Sequence, residues 1–94
     1  MKRAELNAYF ELLESFQSGR IGAERFEVDY LALFKADQRR FPDEVFEILN
    51  KLFSDVDMFV SDPEIRGAGD LDQNQLLECS RKAYRELDNL MKNT

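Results

Sequence analysis

Six carboxylates fall within one short run, DVDMFVSDPEIRGAGDLD: Asp55, Asp57, Asp62, Glu64, Asp70 and Asp72, with Arg66 the one base among them. Carboxylates so gathered can do three things. They can hold a hard cation through several oxygens, exchange a proton as general acid or base, or present negative potential to a basic partner. The neighbouring residue types decide between these.

A calcium loop read from Asp70, DLDQNQLLECSR, places Asp70, Asp72 and Asn74 at the first, third and fifth ligand positions. It then fails, because Gln75 stands where the turn glycine belongs and Arg81 where the bidentate glutamate belongs. A reading from Asp55 fails sooner, at Phe59. No metal and no other cofactor is expected. Catalysis is disfavoured as well: the chain has no His, a single Cys, and neither a phosphate-cradling glycine loop nor a nucleophile motif. Acid–base work by carboxylates alone needs a pocket that desolvates one of them, and a small helical domain has little room for it. No enzyme is expected. Direct nucleic-acid binding needs clustered Lys and Arg, and the clustering here has the opposite sign. A basic protein partner remains, and an acidic protein can compete with phosphates for such a partner's cleft.

The net charge of −6 is unevenly placed. Residues 1–41 hold seven bases and seven acids, which cancel; residues 42–74 hold nine acids against Lys51 and Arg66; residues 75–94 carry a net +1. Some of the nine have structural uses. Asp43 and Glu44 suit the first turn of a helix, Glu47 can pair with Lys51 four residues on, and Asp72 reads as a helix cap. Asp55 and Asp57 fall near a helix carboxyl end, where each carboxylate costs a few tenths to about 1 kcal/mol. Lys51 offsets Asp55 in part, and the two acids lie on opposite borders of the apolar stripe. Asp62 has two uses open to it, a partner contact or the cap of a short Asp-Pro-Glu turn. The expected partner-binding residues are therefore Asp55, Asp57, Asp62 and Glu64, with Asp70 beside them and Met58 as an apolar anchor. Phe59 and Val60 are assigned to the core.

The elements that carry these residues read as helices. Over 4–17, Leu6, Phe10, Leu13 and Phe16 or Gln17 recur at helical spacing, and Gly19 follows as a stop. Ile21 and Gly22 open a second helix with Phe26 at the stapling position, and Phe26, Tyr30, Leu33 and Phe34 form its stripe. Pro42 opens a third, whose stripe runs Val45, Leu49, Leu52, Val56, Phe59, widened by Phe46, Phe53 and Val60. Asp72 with Gln75 forms a capping box for the fourth, with Leu71 placed to staple onto Leu76; Leu76, Cys79, Ala83, Leu87 and Leu90 or Met91 line its face. Short connections and one longer loop over 61–70 predict an all-α fold, a single-domain antiparallel four-helix bundle spanning 1–94. No strand is expected.

No apolar run approaches the length of a membrane span and the start turns acidic too soon for a secretory signal, so a cytoplasmic chain without membrane contact is expected. Cys79 has no partner for a disulfide and reads as a core residue. An acidic face repels its own copy, which favours a monomer.

Three stretches, SGRIGAERFEVDYLALF, ILNKLFSDVDMFVSDPEIR and LDQNQLLECSRKAYREL, together resemble the colicin D immunity family, the bacterial self-protective colicin-like immunity proteins. The resemblance runs over about 9–87, and its most specific part is the D-V-D-x-aromatic-x-x-D-P-E run at 55–64. Gly22 departs from it, since Ser would be the more usual cap. The resemblance implies a helical bundle that binds the nuclease domain of a toxin made by the same bacterium. The implied toxin is a tRNA-cleaving ribonuclease, and the implied mechanism sets carboxylates in its positively charged active site where RNA phosphates would lie. The alternative reading is a non-enzymatic acidic adaptor for an unrelated basic protein.

Overall fold

The computed structural model describes residues 1–92. Among them the chain is all-helical: a 3-10 turn at Arg3–Leu6, then α1 (Asn7–Gln17), α2 (Ala23–Ala36), α3 (Asp43–Asp57) and α4 (Gln73–Lys92). Each element begins and ends for a local reason. Gly19 adopts φ 81°, and behind it the Arg20 N–H reaches the Ser15 carbonyl at 2.9 Å while the Gly19 N–H reaches Phe16 at 3.2 Å. This is the double bond pattern that closes a helix on a left-handed glycine. Gly22 caps α2 with backbone only, and Phe26, four residues into α2, is fully buried. Pro42 stands one residue ahead of α3, as its cap, and its carbonyl accepts the Phe46 N–H at 2.9 Å. The expected capping box of α4 is present in both directions: the Asp72 N–H donates to Gln75 Oε1 and the Gln75 N–H to Asp72 Oδ1, each at 2.8 Å.

The apolar stripes meet in one core. α1 packs on α2 and α4, α2 on α3, and α3 on α4, so the four helices close a ring. The two short extents of 24 and 21 Å correspond to two helices side by side in each direction, given a helix diameter of about 10–12 Å. Leu6, Leu13, Phe26, Leu49, Leu52, Val56, Leu76 and Leu87 are all sealed from solvent. Phe16 stacks on Phe26 with ring centroids 4.5 Å apart, and Tyr9 meets Tyr30 edge-on at 6.0 Å. Both buried tyrosines find acceptors, as buried hydroxyls must: Tyr30 donates to the Leu49 carbonyl at 2.7 Å and Tyr9 to Asp37 Oδ2 at 2.9 Å.

Three expectations need correction. The third helix does not run on to Val60; it stops at Asp57, and Phe59 reaches the core from beyond its end. There the Leu71 N–H donates to Met58 O at 2.8 Å and the Val60 N–H to Leu71 O at 3.0 Å, an isolated parallel bridge between Phe59 and Leu71. The Met58 and Phe59 N–H groups still turn back to Ser54 and Val56, but the Val60 N–H goes to Leu71, and the two bridge bonds pin both ends of the loop. Phe46, expected on the buried stripe, is 46% exposed, because it stands at the border of the face that Val45, Leu49, Leu52 and Val56 bury, with its ring 6.2 Å from that of Phe34. Cys79 is only half-buried, at the rim of the core; Ser80 is the fully buried residue there, its hydroxyl bonded to the Leu77 carbonyl at 2.7 Å. Gln17 of α1 donates to the Ser80 carbonyl of α4 at 3.3 Å.

Candidate functional site

Asp55 and Asp57 leave α3 on different sides. Asp55 turns toward α4, where its side chain is 13% exposed and Lys51 Nζ holds it at 2.6 Å. The Lys51 ammonium is thereby held more firmly protonated, first through that hydrogen bond. Of the two partners expected for Lys51, Glu47 and Asp55, it takes Asp55, four residues on. The Cys79 thiol lies in the same groove, pushed up in pKa by burial and then by the Asp55 charge, so it is not poised as a nucleophile. The groove, lined also by Ile48, Lys82, Ala83 and Glu86, encloses about 160 Å³, below the roughly 300 Å³ at which small-molecule sites begin.

Asp57 is exposed on the opposite side and faces α2. Its charge is felt there by Glu27, whose carboxyl is pushed up by burial, then by Glu24 and by Asp57. Sequence reasoning missed Glu24 and Glu27 because they lie in the stretch whose charges cancel, and nothing local marks them as neighbours of a residue thirty positions on. The charge tally along the chain understates the acidic surface.

The loop over 61–70 is ordered by its own polar groups. Asp62 Oδ1 accepts the Glu64 N–H at 2.9 Å and the Asp62 carbonyl accepts the Ile65 N–H at 3.2 Å, so the cap use is realised. Asp70 Oδ2 accepts the Gly67 N–H at 2.8 Å. Arg66 neutralises none of the acids around it; it turns back along the chain and donates to the Val60 carbonyl at 3.0 Å and the Ser61 carbonyl at 3.4 Å. Glu64 stays exposed at the turn, and Met58 is 41% exposed, its terminal methyl against Gly69. Beside Glu64, Ile65 is 73% exposed, more than any other large apolar residue described, and the sequence reading passed over it.

Among the described residues, Asp55 is the one ion-paired acid of the nine in 42–74. Nor do three carboxylate or thiol groups there converge closely enough to hold a metal ion. The arrangement offers fixed negative charge around exposed apolar side chains.

A family model described as bacterial self-protective colicin-like immunity matches residues 5–90. The chain belongs to that family. No curated protein and no solved structure matches it. This immunity protein therefore has a toxin as its partner, and the resemblance seen over 9–87 extends nearly to both ends of the chain. Among its described residues no helix is long and apolar enough to cross a membrane. The structure brings Asp62, Glu64 and Asp70 onto one ordered loop with Met58 at its base, places Asp57 beside α2, and separates Asp55 from both by turning it into the α3–α4 groove.

Proposed function

We propose that this immunity protein, folded as one domain in an antiparallel four-helix bundle, neutralises a nuclease toxin by covering its basic active-site cleft with acidic side chains. The toxin on this reading is a ribonuclease that cleaves tRNA, and the carboxylates of Asp57, Asp62, Glu64 and Asp70 stand where RNA phosphates would bind. Asp55 joins them only if Lys51 releases it. The protein acts by occlusion in the cytoplasm and performs no chemistry of its own.

The observation that carries this reading is the unpaired acid. Eight of the nine carboxylates in 42–74 make no ion pair among the described residues, although Arg66 lies in their midst. Charge kept uncompensated in the free protein is available to steer a basic partner, and steered association reaches ~10⁸ M⁻¹s⁻¹ or more at low salt. Rapid capture suits an inhibitor of a lethal enzyme. The test is co-purification with the product of the adjacent toxin gene, followed by a tRNA-cleavage assay. Inhibition by the wild type, lost or slowed with Asp57→Asn, Asp62→Asn, Glu64→Gln and Asp70→Asn combined, supports the reading. A toxin that binds the neutralised variant equally fast at every salt concentration refutes it.

A further inference from the structure

We infer that Ile65 is the apolar anchor of the toxin complex: it enters an uncharged pocket in the partner whose rim is basic, while the surrounding carboxylates meet that rim. The inference rests on the toxin-binding reading and adds where the holding energy lies, as distinct from the speed of capture.

Ile65 contributes little to the fold. It is 73% exposed, whereas the other two isoleucines, Ile21 and Ile48, pack against the core. Yet its backbone is well fixed. The Ile65 N–H is bonded to the Asp62 carbonyl at 3.2 Å, the next residue's guanidinium ties the loop to the Val60 carbonyl at 3.0 Å, and Asp70 closes the far side through Gly67 at 2.8 Å. The Phe59–Leu71 bridge holds both ends. An apolar side chain displayed on an ordered loop loses little freedom on binding, which is the preorganisation that makes contacts effective.

Charge selects the occupant. Glu64 precedes Ile65 directly, Asp62 and Asp70 lie on the same loop, and 42–74 as a whole carries nine acids against two bases. A second copy of this chain would bring like charge against like, which disfavours self-association through this face. A basic protein meets both requirements: its cationic groups complement the rim, and an apolar socket receives the side chain. Interfaces commonly divide in this way, with a buried apolar centre that dominates dissociation and a charged rim that governs encounter. Met58 is the second exposed apolar residue at the loop, 41% exposed with its methyl against Gly69, and it extends the apolar surface.

The experiment is stopped-flow and surface-capture kinetics of Ile65→Ala and of Asp57→Asn/Glu64→Gln against the co-purified toxin domain, over a range of salt. Ile65→Ala is expected to dissociate about 10- to 100-fold faster, with the association rate and its salt dependence unchanged. The acid variants should do the reverse. Thermal unfolding of Ile65→Ala should match wild type, which separates an interface effect from a folding one; a markedly lowered melting point would show Ile65 to be a structural residue and overturn the proposal. Normal dissociation of Ile65→Ala beside slowed association of the acid variants would sink the anchor and leave the acidic-surface reading intact. No binding by any form, or no effect of either set, would remove both. Sedimentation of the free protein is the remaining check: a dimer dissolved by Ile65→Ala would mean that the occupant is a second copy.

Discussion

The stretch 42–74 and the rest of the chain use their carboxylates differently. Outside it, six of ten acids are ion-paired, in Arg3–Glu14, Arg3–Asp88, Arg25–Asp29, Arg39–Asp37, Arg81–Glu78, Lys82–Glu86 and Lys92–Asp88; inside it one of nine is, through Lys51–Asp55. Two of the outer pairs, both made by Arg3, tie distant segments. Arg3 lies 3.8 Å above the Phe10 ring, donates to Tyr84 at 3.1 Å and to Asp88 at 2.6 Å, and so joins the chain start to α1 and α4. Asp37 accepts both the Tyr9 hydroxyl and the Arg39 guanidinium, joining α1 to the α2–α3 connection. Within 42–74 the carboxylates instead accept backbone N–H groups, at Asp62, Asp70 and Asp72. Such a bond orders the local chain and leaves the negative charge in place. One set of acids assembles the fold; the other shapes a loop and keeps its potential.

The largest expected break in that contrast comes from neutralising Asp57, Asp62, Glu64 and Asp70 together. Association with the toxin should slow by about 10- to 100-fold at low salt, with the difference shrinking as salt rises, as stopped-flow mixing would record. Asp57→Asn alone should make the free protein slightly more stable, by a few tenths to about 1 kcal/mol in urea melts, because it removes a charge from the carboxyl end of α3. A stability loss from that change would contradict the claim that Asp57 is held at a cost.

Asp37→Ala should do the opposite. It leaves the buried Tyr9 hydroxyl without its acceptor and Arg39 with only the Glu5 carbonyl, and about 1–3 kcal/mol of stability should disappear while toxin association stays unchanged. Denaturant titration beside the same stopped-flow assay reads both.

Acid separates two carboxylates of the first 41 residues, Asp37 in its ion pair and Glu27 beside Asp57, which respond with opposite sign. The Arg39 guanidinium, chiefly, holds the Asp37 carboxyl at about 2, below the ordinary carboxylate range. Its contribution is whole above that range and is lost as pH falls toward 2. Glu27 is pushed the other way by burial, Glu24 and Asp57, so its contribution favours the folded state when protonated and fades as pH rises through its raised value. Melting curves between pH 2 and 6 should show a shallower acid loss for Asp37→Asn than for wild type, and Glu27→Gln should gain stability at neutral pH.

The smallest effect concerns helix starts. α4 begins on a reciprocal side-chain cap whereas α2 begins on Gly22, whose extended backbone has open space for a Cβ. Gly22→Ser should raise the melting point by an amount worth a few tenths of a kcal/mol. The toxin kinetics should not move.

What could be read from the sequence alone was what depends on neighbours three and four residues apart. The Gly19 stop, the Asp72–Gln75 box, the helical stripes and the site of the charge surplus are all of this kind, because helix hydrogen bonds and caps are closed within one turn. The Asp62 turn belongs with them. Tertiary packing decided the rest. Whether Lys51 pairs with Glu47 or Asp55, and whether Asp55 faces a groove while Asp57 faces Glu27, follows from which side α3 turns to α2 and to α4. That the chain beyond Asp57 runs beside Leu71, eleven residues past Val60, shows only in the fold: the Leu71 carbonyl takes the Val60 N–H in place of a helical acceptor. Ile65 looked like any apolar residue until the fold placed no helix over it. Hydrophobicity states a preference for burial, and only the assembled neighbours determine whether it is met.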